Sequence, residues 1–145
     1  MNNKLNKIYS KMIRIRMIEQ RIASLYQEQE MRCPVHLSIG QEAVATGVCS
    51  QLKNNDIVLD VASGTGEPGL SIAEIVSAGK VVGMDLSEGM LETAKERAEI
   101  RGISNYQTEI GDVSKLPFLD KTFNAISCRM GFMFFPDIQS TLQEM

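Results

Sequence analysis

The residues with the clearest capacity for chemistry lie in one stretch, VLDVASGTGEPG, from Val58 to Gly69. Gly64 and Gly66 let the backbone turn tightly out of a strand and approach a ligand with no Cβ in the way. With Gly69 they complete a G-x-G-x-x-G pattern, which taken alone is a weak pointer to a dinucleotide fold. Asp60 stands just before the turn, where a carboxylate can face a cationic or hydroxyl-bearing ligand. Asp85, in VVGMDLSEGM, has the position from which a carboxylate accepts hydrogen bonds from ribose hydroxyls. Asp112 follows in Gly111-Asp112-Val113, where an acidic side chain can reach the exocyclic amine of an adenine. Three carboxylates ending three successive strands point to one edge of a sheet, where ligands of open α/β sheets bind.

Those carboxylates need strands behind them. The run Ile57-Val58-Leu59-Asp60-Val61 suits a strand covered on both faces in a parallel sheet. A glycine-rich turn over Ala62 to Gly69 and a helix over Leu70 to Ser77 follow. Lys80 to Met84 predicts a second strand ending at Asp85. Ser87 is placed to cap a helix over Glu88 to Arg101, which stops at Gly102. Tyr106 to Ile110 and Phe123 to Cys128 read as third and fourth strands. Strand alternating with helix in this way is the signature of a doubly wound α/β sheet.

The first third of the chain has another texture. From Leu5 to Met31 there is no Gly or Pro, and Ile8, Met12, Ile15, Ile18, Ile22 and Leu25 fall on one helical stripe. Arg14, Arg16, Glu19, Gln20 and Arg21 fill much of the remainder. This predicts a long amphipathic helix ended by Cys33-Pro34, because the residue before proline avoids helical geometry. Gly40 to Leu52 predicts a shorter helix, and Lys53 to Asp56 a turn. The chain thus divides into a helical segment, 1–55, and an α/β segment, 56–145.

Bulk properties narrow the classes. The 145 residues are 43% hydrophobic and 23% charged, ordinary for a globular protein, and suffice for one domain or one with part of another. A net charge of −3 gives no basic footprint, so nucleic acid is not an expected partner. No run of about 18 apolar residues occurs, so no membrane span is expected, and MNNKLNKIYSKMIRIR has no apolar core for a secretory signal. Cys33, Cys49 and Cys128 are odd in number and widely spaced, which argues against a disulfide framework or zinc site and for a cytoplasmic setting. They read as buried small thiols. His36 is the only histidine and has no second ligand type close in sequence, so no metal site is expected.

From Val58 onward the sequence resembles the class I S-adenosylmethionine-dependent methyltransferases, closest to the ubiquinone and menaquinone biosynthesis type. The resemblance is carried by VLDVASGTGEPGLSIA, GKVVGMDLSEGMLETAKERA, GDVSKLPFLDKTFNAISCRMGFMFF and PDIQSTLQEM, in the family's order and spacing. It implies a Rossmann-like sheet and S-adenosyl-L-methionine as cofactor. A ribose-binding Asp85 is common to NAD and adenosylmethionine folds; Gly111-Asp112 followed by Leu116-Pro117-Phe118 favours the latter. The resemblance assigns the cofactor's amino-acid end to the turn of Ala62, Gly64, Thr65 and Gly66, with Asp60 orienting it. It gives the ribose to Asp85, with Leu86 and Met90 beside it, and the adenine to Gly111, Asp112 and Val113. Arg129 falls where the family contacts the cofactor near its methyl group. Two departures are visible: Ala62 stands where many members have Gly, and Asn124 where an Asp is frequent. The second removes a charge expected to cap structure rather than perform chemistry.

The N-terminal segment, MIRIRMIEQRIASLYQEQEMRCPVHLSIGQEAVATGV, resembles the start of the alpha subunit of thiamine-diphosphate-dependent 2-oxoacid dehydrogenases, chiefly through His36 to Ala43. That family needs G-D-G and an Asn about 30 residues later for magnesium diphosphate. Here Gly111-Asp112-Val113 is the nearest phrase and Asn124 comes too soon, so no cofactor role passes to His36 or Gln41.

The two resemblances together imply a chimeric chain whose methyltransferase part is truncated after its first four strands. Methyl transfer to a small-molecule acceptor is the expected chemistry, impaired by the truncation, and no residue can be named as general base. The fourth strand is expected to be an open edge prone to self-association. The alternatives are a binding module for NAD or another adenosine ligand, a non-enzymatic fragment whose helical arm, Leu5 to Met31, docks onto a dehydrogenase partner, or a fragment of a 2-oxoacid dehydrogenase alpha subunit.

Overall fold

The computed structural model describes residues 3–28 and 35–145. Two compact units form, Met1–Gln51 and Leu52–Met145. In the first, α1 spans Asn3–Tyr26 and α2 spans Glu42–Cys49. The predicted stripe on α1 is half-buried at Ile8, Met12, Ile15, Ile22 and Leu25, whereas Ile18 is exposed and no α1 residue is fully buried. The proposed stop at Cys33-Pro34 lies outside the described residues. The second helix is shorter than Gly40 to Leu52, because Gly40 takes a left-handed φ of +96° that cannot open a helix. Glu42 joins the pair: its carboxylate accepts from both Arg16 Nε and Arg16 Nη2, and from the Gly40 amide. The Arg16 guanidinium pulls the Glu42 carboxyl down to about 2.

The second unit is a four-stranded parallel sheet of β1 (Ile57–Val61), β2 (Lys80–Asp85), β3 (Tyr106–Ile110) and β4 (Ala125–Cys128), in the order β3-β2-β1-β4. Helices α3 (Gly69–Ile75) and α4 (Glu88–Ile100) are the crossovers that parallel neighbours require, and α5 (Ile138–Glu144) follows β4. Two apolar clusters sandwich the sheet. One holds Val58, Leu70, Ile72, Val76, Val81 and Tyr106; the other holds Leu59, Val61, Val82, Met84 and Val113. Alternation of neighbouring residues between the two clusters explains why β1 and β2 are continuous apolar runs. The predicted α/β class and strand positions are those observed, with β4 beginning two residues later than expected. Asn124 accounts for that: its Oδ1 accepts from the Ile57 amide and its own amide donates to the Ile57 carbonyl, closing the ladder with a side chain.

Ser87 caps α4, its Oγ accepting from the Met90 amide. Cys49 and Cys128 are half-buried free thiols rather than buried ones; for Cys128 the reason is that β4 is an edge strand with all four residues partly exposed. No described helix is long and apolar enough to cross a membrane.

Candidate functional site

Above the C-terminal ends of β1, β2 and β3 opens a cleft of about 460 Å³, a size that suits a nucleoside-like ligand. Its floor is Val61, Ala62, Met84 and Val113; one side carries Asp85, Leu86, Ser87 and Met90, and Gly111 and Asp112 close the β3 end. The opposite wall is Met130, Gly131, Phe134, Phe135 and Pro136, from the loop and short 3-10 turn (Phe132–Phe134) after β4. A larger open groove of about 850 Å³ along β4 and α5 contains none of the residues that the resemblance assigns to the cofactor.

Asp85 is the hub of this cleft. Its Oδ2 accepts from the Gly64 amide at 2.9 Å and its Oδ1 from the Ser87 amide at 3.0 Å. One carboxylate therefore ties the glycine turn to the start of α4, and each oxygen keeps a free lone pair for a ligand hydroxyl. Asp112 is exposed, and the amide and hydroxyl of Ser114 hold its carboxyl below the usual range. Gly111 packs tightly on the cleft floor, where a Cβ would lie 3.1 Å from Met84 Sδ and oblige that side chain to give way.

The turn itself is held by backbone bonds: the Ser63 amide donates to the Met84 carbonyl and the Gly66 amide to the Ser63 carbonyl. Gly64 and Gly66 have φ of +54° and +102°. Ala62 also sits at +53°, a region that costs a residue with a Cβ about 1 kcal/mol. Ala62→Gly is therefore expected to raise stability by about 0.5 to 1 kcal/mol, read as a higher midpoint in urea unfolding. Met130 repeats this strain at φ +58° across the cleft, and at Gly131 a Cβ would meet Cys128 Sγ at 2.7 Å and Ala62 Cβ at 2.8 Å. Left-handed residues with side chains gather at sites whose surroundings fix them.

Of the residues chosen from sequence, Ala62, Gly64, Asp85, Leu86, Met90, Gly111, Asp112 and Val113 line the cleft together. Asp60, Thr65, Gly66 and Arg129 do not. Asp60 is fully buried beneath the turn, its Oδ2 accepting from the Gly69 amide at 2.9 Å and its Oδ1 from Ser127 Oγ at 2.5 Å. Burial pushes its carboxyl up to about 6. Thr65 turns outward, its hydroxyl and carbonyl both accepting from Arg97. Arg129 is exposed beyond the β4 end. Sequence reasoning missed Met84, Ser87 and the wall from Met130 to Pro136; the run GFMFF after β4 was the available signal. Among the described residues no group of His, Cys, Asp and Glu could hold a metal ion.

Comparison with known proteins places this architecture. Residues 58–145 match the family model for a methyltransferase domain. The chain is 36% identical over 88 residues to demethylmenaquinone methyltransferase of Geobacillus stearothermophilus, covering 60% of this chain and 38% of that protein. Among solved structures, the YcgJ protein of Bacillus subtilis superposes with a TM-score of 0.61 at 29% identity, over 65% of this chain and 39% of its own. An S-adenosylmethionine-dependent methyltransferase of Aquifex aeolicus shares the fold, with a TM-score of 0.62 at 24% identity over 70% of this chain and 54% of its own. The chain spans about two fifths of the length of the curated relatives it matches. With the parallel sheet, the glycine turn and the family match coinciding over residues 58–145, the chain belongs to the methyltransferase domain family, of the class I S-adenosylmethionine-dependent type.

Proposed function

We propose that the cleft is the S-adenosylmethionine site of a methyltransferase acting on a small-molecule acceptor. The observation that carries this reading is Asp85, anchored by two backbone amides at the cleft edge with lone pairs to spare. That geometry suits the adjacent hydroxyls of a ribose, each a donor in need of a fixed acceptor. Gly111, Asp112 and Val113 then stand where a flat base lies against the apolar floor, with Asp112 as acceptor for its amine. Gly64 and Ala62 face the amino-acid end.

The cofactor supplies a methyl group on an already charged sulfonium, with a neutral thioether as leaving group. What the residues of this cleft contribute to displacement at that methyl group is orientation and the exclusion of water. Met84, Met90, Met130, Phe134 and Phe135 give the cleft an apolar lining in which water is poorly held. Asp60 acts from below, fixing the Gly69 amide and with it the exit of the turn.

The test is calorimetric titration of the full chain with S-adenosylhomocysteine, beside Asp85→Ala. Binding by the native chain, weakened about tenfold or more by the substitution as two ribose hydrogen bonds are lost, supports the reading. A folded native chain that takes up no ligand removes it.

A further inference from the structure

We infer that Arg97, on the last turn of α4, is a positioning residue that sets the geometry of the cofactor turn from outside the cleft. This inference rests on the reading of the cleft as the adenosylmethionine site. Arg97 Nη1 donates to Thr65 Oγ1 at 2.8 Å and to the Thr65 carbonyl at 3.2 Å. Thr65 lies between two glycines with left-handed backbone, Gly64 and Gly66. Glycines flanking a single residue make a hinge about which that peptide can rotate at little cost. From the cleft side a side chain reaches the turn at Gly64, through Asp85, and backbone bonds close it at Ser63 and Gly66, so that no bond from that side reaches Thr65. From the helix side it is fixed at Thr65 by Arg97, and one helical turn further on Arg101 bonds Glu67 and Glu74. The segment from Gly64 to Glu67 is therefore held between a carboxylate on one face and two guanidinium groups on the other.

The grip on Thr65 is a fork: one nitrogen engages both a carbonyl and a hydroxyl of the same residue, so it fixes direction as well as distance. The Arg97 and Arg101 contacts are solvent-exposed, and exposed ion pairs and hydrogen bonds add little to global stability. Their consequence is local order at the hinge. A turn already ordered in the free protein spares the ligand the cost of ordering it. The part of the ligand that meets this turn is its amino-acid end; the adenosine part meets Asp85, Gly111, Asp112 and Val113, which Arg97 does not touch. Loss of Arg97 is thus expected to act on one end of the ligand and not on the other.

That asymmetry supplies the test. Binding of S-adenosylhomocysteine and of adenosine is measured by calorimetry for the native chain, Arg97→Met and Arg97→Lys, with thermal unfolding of each. Arg97→Met is expected to weaken S-adenosylhomocysteine about fivefold to tenfold through lost preorganisation, to leave adenosine unchanged, and to unfold at the native temperature. Arg97→Lys, which keeps the charge and a donor nitrogen but loses the rigid planar guanidinium that fixes its direction, is expected to fall between. Equal weakening of both ligands, or no change in either, overturns the positioning role while the cleft assignment stands. A native chain that binds neither ligand overturns both.

Discussion

Asp60→Asn is expected to stabilise the protein at pH 8 by about 2 to 3 kcal/mol and to leave stability near pH 4 almost unchanged. The buried carboxyl is pushed from an ordinary value near 3.8 up to about 6. Its causes are burial first, offset in part by the Ser127 hydroxyl and the Gly69 amide. A carboxyl raised in the folded state binds its proton more tightly there than in the unfolded chain. Its contribution to stability is fully present below about 3.8 and is lost as the pH rises through about 6. At pH 8 the native protein carries a buried carboxylate with two hydrogen bonds and no cation in contact. Asparagine retains an oxygen for the Gly69 amide and offers its amide group to Ser127 Oγ, without the charge. Urea unfolding of both proteins at pH 4, 6 and 8 checks this. Curves separated by the same amount at every pH would show that the carboxyl does not titrate between them.

The second large effect is expected at Gly83, in the middle of β2. A Cβ built there lies 2.0 Å from Tyr106 Oη, 2.7 Å from its Cζ and 3.0 Å from Ser63 Oγ. The Tyr106 ring is packed in the core among the α3 side chains Leu70, Ile72 and Ala73, and its Cε2 lies close to Gly69. Gly83→Ala is therefore expected to cost about 3 kcal/mol or more, at the upper end of overpacking effects. Tyr106→Phe should relieve part of that cost by removing the nearest atom. By itself Tyr106→Phe should be close to neutral, because the hydroxyl is buried without a hydrogen-bond partner; the neighbouring Ser63 hydroxyl misses the required geometry. Burial likewise pushes the Tyr106 hydroxyl up to about 12, so it stays protonated at any working pH. A four-member unfolding cycle reads the coupling. Additive single costs would mean that the clash is absorbed elsewhere.

The two interior strands, β1 and β2, were legible in sequence because they are parallel and covered on both faces, which writes them as short β-branched runs. Helix ends were less so. The second helix starts at Glu42 rather than Gly40 because a left-handed glycine, not a pattern of apolar residues, decides its first turn. At the site, Asp85 and Asp112 were readable since the end of a strand is a fixed place in such a fold. The wall from Met130 to Pro136 was not, because the path of a loop depends on Met130 adopting a left-handed backbone and Gly131 packing on Ala62. Thr65 was correctly placed in the turn, but no spacing rule says that an arginine 32 residues away will draw its side chain outward.

The strand order also governs how the protein is made. β1 occupies an interior position, yet the second neighbour it pairs with, β4, follows 67 residues later in the chain. At ordinary rates of synthesis this leaves one edge of β1 bare for roughly 3 to 13 seconds after it leaves the ribosome. An apolar strand with a bare edge is a template for pairing with other chains. Asp60 is the fourth of that strand's five residues, ionised in the nascent chain at neutral pH, and a charge within a strand opposes pairing with foreign strands. The carboxylate that lowers the stability of the finished fold at neutral pH is thus, in the nascent chain, a charge on its central strand.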